Sequence, residues 1–333
     1  MRKGSGAPTL GSVAERAAVS RQTVSNVINN PELVASETAA RVRAVITELG
    51  YRPNRVARQL RTRQSQVIGL RVEQSNRISI LDRFLHAVTD AANFVDNRLM
   101  LYTAHDDASE IEAIDELVGR WDVDGFVLTG SHAEDPRRSH LTAGAIPYVA
   151  FGRPWGADDD LWVDVDGAAG TRAATEHLIA GGHTLISFLG WPEGPGVGED
   201  RLSGWRDAMH RAGLAEQRIF RCANDLTEGR RAAAAMLDAA GPVPTAVVCV
   251  SDALALGVLA ELSARGLRPG QDLSVIGFDD TDVAGVIGLT SVAQPLVEAA
   301  QRCVKILLSA VHGEQTADRA ALLTPRLVVR TTG

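Results

Sequence analysis

The chain has 333 residues, 45% of them hydrophobic, 23% charged and 5% aromatic, which is length and composition for two or three domains around a sizeable core. No apolar run of about 18 residues occurs, which excludes a membrane-spanning helix, and the basic N-terminus leads into no apolar stretch of a secretory signal. Cys222, Cys249 and Cys303 are an odd number in apolar segments and read as reduced core thiols of a cytoplasmic protein, not as a disulfide framework or a metal site.

The net charge of −7 conceals an asymmetry. Residues 1–66 hold 11 Lys and Arg against 4 Asp and Glu, whereas the remainder holds 23 against 37. A basic head on an acidic body suits a head that meets a polyanion; a solvated basic tail is the alternative on charge alone. Lys occurs only at positions 3 and 305, so Arg supplies the other 32 positive charges, which suits bidentate recognition; a GC-rich genome is the plainer source of the same bias.

The head reads as helical. Leu10, Val13, Ala14 and Ala17 follow an i, i+3, i+4, i+7 spacing, with Thr9 as N-cap. A break at Ala18-Val19 precedes Ser20, a second N-cap. Val24, Val27 and Ile28 then form an apolar face until Asn29-Asn30-Pro31 stops the helix. Ser36 opens a third helix, with Val42, Val45, Ile46 and Leu49 inward and Gly50 at its C-terminal cap. The first two helices lie one short turn apart, as in a helix-turn-helix. In that motif the second helix enters the major groove, so Arg21, Gln22 and Asn26 near its start are candidate base readers. Arg can hold guanine O6 and N7, and Gln or Asn can hold adenine N6 and N7; a merely solvated face is the plainer reading of polar residues there. Residues 53–61 follow, strongly positive, with only Val56, Ala57 and Leu60 to bury. Such a helix is marginal in isolation and reads as a linker that folds on a partner.

From residue 67 the texture changes. Short apolar runs at 67–72, 98–103, 125–128, 146–151, 162–165, 185–189, 246–250 and 273–278 alternate with helical stretches such as 81–94, 111–120, 168–180 and 254–264. The alternation predicts parallel, doubly wound sheets, and eight strands divide better between two Rossmann-like lobes than in one sheet. Trp155, Trp162, Trp191 and Trp205 fall within 51 residues on strand edges or loops, where flat rings suit a pyranose face. Trp205, sharing a helix face with Leu202, reads as core.

Thr9-Leu10-Gly11-Ser12-Val13-Ala14 followed by Val19-Ser20-Arg21-Gln22-Thr23-Val24-Ser25-Asn26-Val27-Ile28-Asn29 strongly resembles the start of the lactose-repressor (LacI-type) family of transcription regulators. So do Leu49-Gly50-Tyr51-Arg52-Pro53-Asn54 and Ala57-Arg58-Gln59-Leu60. The resemblance continues through Val123-Asp124-Gly125, Arg201-Leu202-Ser203-Gly204-Trp205, Ser251-Asp252-Ala253-Leu254 and Val275-Ile276-Gly277-Phe278-Asp279-Asp280, nearly the whole chain in order. It implies an all-α helix-turn-helix head at 1–52 and a hinge helix or linker at 53–64. Residues 65–333 would form an α/β two-lobed, periplasmic-binding-protein-like core of parallel Rossmann-like sheets that dimerises and holds an effector between its lobes.

The resemblance also assigns residues. As DNA contacts it carries over Thr9, Ser20, Arg21, Gln22, Thr23, Ser25, Asn26, Asn29, Tyr51, Asn54, Ala57 and Leu60, with Leu60 wedging open a central base step in the minor groove. As effector contacts it carries over Thr129, Trp162, Arg201, Ser251, Asp252, Asp279 and Gln294. Arg201 would hold sugar hydroxyls and Trp162 would stack on the ligand. Three positions depart from the family pattern: Ala18 replaces the usual turn glycine, Ser251 stands where many relatives have Asn, and Gly152 where some have Asp.

Enzymatic readings lack their motifs. Gly194-Pro195-Gly196-Val197-Gly198 has the wrong spacing for a dinucleotide loop, no phosphate-binding loop or nucleophile elbow occurs, and His177 and His183 are six apart, wrong for one helical face. His105-Asp106-Asp107 and Asp158-Asp159-Asp160 could bind a cation, but solvated loop charge is the favoured reading. The expectation is a cytoplasmic, sequence-specific DNA-binding regulator, a repressor, that needs no cofactor, metal or membrane. It would bind a pseudo-palindromic operator as a homodimer, without a tetramerisation tail, under control of a small carbohydrate. A sugar-binding protein without DNA activity and a sugar-modifying enzyme are the rivals; residues 9–60 argue against the first and the missing motifs against the second.

Overall fold

The computed structural model describes residues 8–51, 64–72, 80–154, 160–194, 196–216, 218–314 and 319–333. They fall into two compact units, Met1–Ser65 and Gln66–Gly333.

In the first unit, α1 (Leu10–Arg16), α2 (Arg21–Asn29) and α3 (Ser36–Leu49) enclose Val13, Ala14, Ala17, Val24, Val27, Ala39, Val42 and Val45. Local chemistry sets the helix limits. The Thr9 hydroxyl accepts from the Ser12 amide while the Thr9 amide donates to the Ser12 hydroxyl, a reciprocal cap on α1. The Ser20 hydroxyl accepts from the Thr23 amide and starts α2. The turn between them closes α1 with two reversed bonds, Ala18 N–H to Glu15 C=O at 3.2 Å and Val19 N–H to Ala14 C=O at 3.0 Å. That turn places Ala18 at φ 52, in the left-handed region that glycine favours. Gly50 closes α3 in the same way at φ 60.

The second unit contains two six-stranded sheets. The first has the order β11-β5-β4-β3-β1-β2, formed by β1 (Val67–Arg71), β2 (Arg98–Tyr102), β3 (Gly125–Leu128), β4 (Tyr148–Phe151), β5 (Trp162–Val165) and β11 (Ala320–Leu323), all parallel. One face packs on α4 (Ile80–Phe94) and α12 (Leu296–Val311) through Ile68, Val127, Val149, Phe84, Cys303 and Leu307. The other face packs Phe126, Leu128, Tyr102 and Tyr148 against Ile114 and Leu141, from α5 (Asp107–Trp121) and α6 (Pro136–Ala143).

The second sheet has the order β12-β10-β9-β8-β6-β7, from β6 (Ile186–Gly190), β7 (Ile219–Arg221), β8 (Ala246–Cys249), β9 (Ser274–Asp279), β10 (Thr290–Ala293) and β12 (Arg326–Val328). Helices α7 (Gly167–Ala180), α8 (Val197–Arg211), α9 (Leu226–Leu237), α10 (Asp252–Ala264) and α11 (Asp282–Ile287) connect it. Its core holds Phe188, Val247, Val248, Ile276 and the fully buried Trp205. The cysteines are free, with Cys249 and Cys303 buried.

The chain passes between the lobes three times: after β5 at Asp166, after β10 at Gln294-Pro295, and after β11 at Thr324-Pro325. The last link is too short for a helical crossover, and β12 therefore runs antiparallel to β10. It is the exception to the expected parallel pairing. Four strands, β7, β10, β11 and β12, lie outside the eight predicted runs. β7, β11 and β12 are sheet edges and only half-buried, so they show no continuous apolar run. β10 opens with Thr290 and Ser291, whose hydroxyls are satisfied internally by the Arg330 amide and Asp252.

Candidate functional site

Each unit presents one candidate surface. In the head, Arg21 and Gln22 stand exposed on the first turn of α2, with Thr23, Ser25 and Asn26 partly buried behind them. Gln22 Nε2 donates to Asn26 Oδ1 at 3.0 Å, one helical turn on. This pairing holds two amide groups side by side, a geometry that suits the edge of a purine. The Thr9 and Ser20 hydroxyls are engaged in capping, and Arg41 of α3 donates to the Ala17 carbonyl at the end of α1. Asn54, Ala57 and Leu60, with the expected hinge, lie outside the described residues, as does the Asn29 side chain.

In the body, the carboxyl ends of the parallel strands meet across the cleft, where parallel α/β sheets place their ligands. Arg201 of α8 is its centre, only 5% exposed. Its Nη1 donates to the Val250 carbonyl at 2.6 Å and lies 3.7 Å from Asp279 Oδ1. Its guanidinium stacks 3.7 Å from the centroid of Phe278 and 5.4 Å from that of Trp191. Arg201 Nε is buried without a hydrogen-bond partner among the described residues, and so is Trp191 Nε1. Burial pushes the Arg201 pKa down, partly offset by Asp279. Burial likewise lifts the Asp279 carboxyl to about 7, although Arg201 pulls it down. Gln294 Nε2, at the second lobe crossing, donates to Asp279 Oδ1 at 2.7 Å.

Two contacts bridge the lobes beside this centre. Arg153, after β4, reaches Asp164 of β5 and, across the cleft, Asp200 of α8, each at 2.9 Å. Arg83 of α4 donates to the Asp280 carbonyl at 2.7 Å. The residue before Arg153 is Gly152 at φ 117, where any side chain would be strained.

Residues 9–54 match the family described as bacterial regulatory proteins, lacI family, and residues 175–332 match a periplasmic binding protein-like domain. The chain is 34% identical over 336 residues to the HTH-type transcriptional regulator CelR of Thermobifida fusca, covering 98% of each. The chain belongs to the LacI family. Among solved structures it resembles a transcriptional regulator CelR–cellobiose complex (TM-score 0.74, 32% identity, 98% of this chain and 100% of that one). It also resembles the lac repressor dimer bound to operator and the anti-inducer ONPF (TM-score 0.79, 29% identity, 98% and 99% covered). Like its relatives, this LacI-family chain is a helix-turn-helix transcription regulator.

The fold brings Arg201, Asp279 and Gln294 together as the family pattern implies. Thr129 sits just beyond the carboxyl end of β3, 2% exposed with its hydroxyl unpartnered among the described residues. Ser251 caps α10 and donates to Asn224 Oδ1 at 2.6 Å. Tyr51 packs its ring into the head's core, 9% exposed. Two assignments are corrected. Trp162 opens β5 and packs with the Tyr102–Phe126–Tyr148 cluster; in a parallel sheet the start of a strand lies at the edge away from the cleft. Asp252 is fully buried and accepts from the Thr281 amide, the Thr281 hydroxyl and the Ser291 hydroxyl, so it braces the turn after β9 and has no face for a ligand.

Phe278, Arg153 and Asp200 were not among the sequence candidates, and Trp191, one of the four tryptophans named there, was passed over for Trp162. Their signal was present: Trp191 and Phe278 end strands, which is where a cleft aromatic must stand, whereas Trp162 begins one. The structure also gathers Asp107, His132 and Asp135 within 4.8 Å of one another. The Arg137 guanidinium already fills that charge, at 2.6 Å and 2.8 Å from Asp135 and 2.8 Å from Glu110.

Proposed function

We propose that this regulator binds a pseudo-palindromic operator as a homodimer and that a small neutral carbohydrate in the cleft controls the affinity. Arg21, Gln22 and Asn26 read base edges, the residues after Tyr51 enter the minor groove with Leu60 as wedge, and Arg201, Asp279 and Gln294 hold the sugar. A hydroxyl both accepts and donates. It can therefore accept a hydrogen bond from the Arg201 donor and donate one to Asp279. The observation that carries this reading is the buried, incompletely partnered Arg201 at the strand ends. Leaving such a donor unpaired costs about 1–3 kcal/mol, which a ligand oxygen recovers. Cellobiose is the first sugar to test, because a relative 32% identical to this chain is described in complex with it.

A ligand can shift the operator affinity only by favouring one lobe arrangement over another. The Arg153–Asp200 and Arg83–Asp280 contacts are the cross-lobe groups that such a shift would strain or relieve. The test is an operator titration with and without sugar, on the wild type and Arg201→Ala. The variant should bind operator as the wild type does and ignore the sugar. A variant that still responds at the wild-type concentration would place the effector elsewhere.

A further inference from the structure

We infer that His132 is a pH-sensitive latch on the loop that leads from β3 to α6: as an imidazolium its two ring N–H groups tie the loop's own turn to α5, and the loss of one proton opens the tie within the loop. What the latch does to the effector rests on the carbohydrate reading above; the state of the ring does not.

Both ring nitrogens face oxygens that can only accept. Nδ1 lies 2.9 Å from the Ala133 carbonyl, and Nε2 lies 3.0 Å from Asp107 Oδ2. A neutral imidazole carries one N–H, so in either tautomer one contact would set lone pair against lone pair. The imidazolium satisfies both. The charges around the ring agree with this. Asp107 and Glu110 stand on α5, Asp135 in the loop and Arg137 on α6. Arg137 gives Nε and Nη2 to Asp135, at 2.8 Å and 2.6 Å, and Nη1 to Glu110 at 2.8 Å. It lies 3.4 Å from Asp107 Oδ1, which leaves His132 as the hydrogen-bonded partner of Oδ2 among the described residues. Of the flanking groups, Asp106 is engaged in capping α5 through Ser109, with His105 beside it, and Glu134 is exposed. The bond to Ala133 and the carboxylates of Asp135 and Asp107 raise the His132 pKa above its ordinary value, against partial burial.

The place of the loop gives the proton its consequence. The loop begins at Thr129, beyond the carboxyl end of β3, and Arg137 holds the Thr129 and Gly130 carbonyls at 3.1 Å and 3.2 Å. The Ala133 carbonyl that Nδ1 holds directly precedes Glu134, whose φ of 56 lies in the left-handed region. A carboxylate is a stronger acceptor than a peptide carbonyl, so deprotonation keeps Nε2–H on Asp107 and removes the bond to Ala133. The turn then loses the bond beside its strained residue. A closed latch presents Thr129 to the cleft with less ordering left to do on binding. Because the folded-state pKa is raised, the stabilisation is complete below the ordinary value of about 6.5 and is lost as pH rises through the folded-state value. The latch is therefore closed in mildly acidic solution and opens toward alkaline pH. The His132 side chain is 44% exposed, so its effect is of the size of a surface ion pair.

The test follows the histidine ring nitrogens of the full-length protein by NMR across the neutral range, with His132→Gln to assign the signal. His132 should hold both protons in mildly acidic solution, titrate with a midpoint above about 6.5, and pass to the Nε2–H tautomer. Asp107→Asn should lower that midpoint. Backbone amide signals of residues 130–134 should follow the same titration in the wild type and stay unmoved in His132→Gln. Cellobiose and a panel of neutral sugars are then titrated into the wild type and His132→Gln below and above the midpoint; Asp279 titrates in both proteins and cancels in the comparison. The wild type should bind the best sugar about threefold more tightly than the variant below the midpoint, and equally above it. A ring that is neutral in mildly acidic solution, an Nδ1–H tautomer above the midpoint, a midpoint unmoved by Asp107→Asn, or equal sugar affinities throughout overturns the latch while the carbohydrate reading stands. If no sugar binds either protein, the carbohydrate reading falls and the ring titration still decides the latch.

Discussion

Ala18 is a place where the chain works against its own backbone, and a matched pair of substitutions measures by how much. At φ 52 a β-carbon costs about 1–2 kcal/mol relative to the right-handed region. Ala18→Gly removes that cost but gives the unfolded chain more freedom, worth about 0.4–1 kcal/mol in the opposite direction. The head should therefore gain roughly 0.5–1 kcal/mol. Gly50 provides the mirror experiment. It has the same conformation, φ 60, in the same type of helix end, and no atom lies within 4 Å of where its β-carbon would go. Gly50→Ala thus tests backbone strain without a steric contribution and should lose a similar amount. The assay is amide hydrogen exchange on the full chain, read at the buried Val24, Val27 and Val42, whose exchange needs the head to open. Protection should rise about two- to fivefold for Ala18→Gly and fall by as much for Gly50→Ala, since 1 kcal/mol is about a factor of five. The reasoning fails if both substitutions move protection the same way, or if Ala18→Gly lowers it.

The other predictions concern the two surfaces. Replacing Arg21 or Gln22 with Ala should relax base preference at one symmetric pair of operator positions, at about 1–3 kcal/mol per half-site, as read by selection from a randomised site; unchanged preferences for both would remove them from the reading surface. Asp279 predicts a pH dependence with a definite sign. Burial raises its folded-state pKa to about 7, so the folded state holds this proton more tightly than the unfolded chain. Its contribution is fully present below the ordinary carboxylate range and is lost as pH rises through about 7. Melting temperature should decline between pH 5 and 8 more steeply in the wild type than in Asp279→Asn; equal slopes would mean that Asp279 titrates normally.

The head was largely legible in the sequence because its limits are short-range. Thr9, Ser20 and Gly50 each act within a few residues of the helix end that they cap, and the apolar spacing of Val13, Val24 and Val42 marks the faces that pack. The longer apolar runs revealed two parallel sheets for the same reason: a fully buried strand must be apolar throughout. The edge strands β7, β11 and β12 escaped because half-burial leaves no such run. What the cleft contains was decided by tertiary structure. Arg201 meets Phe278, Trp191 and Asp279 only because β6, β8 and β9 are neighbours and α8 crosses their ends. Asp252, three residues past the last residue of that cleft strand β8, turned out to be sealed by Thr281 and Ser291, partners 29 and 39 residues away. A carboxylate beside a site looks the same in sequence whether a ligand or the protein's own hydroxyls will satisfy it. Which of the two happens depends on segments distant along the chain closing around it, and only the folded packing settles that.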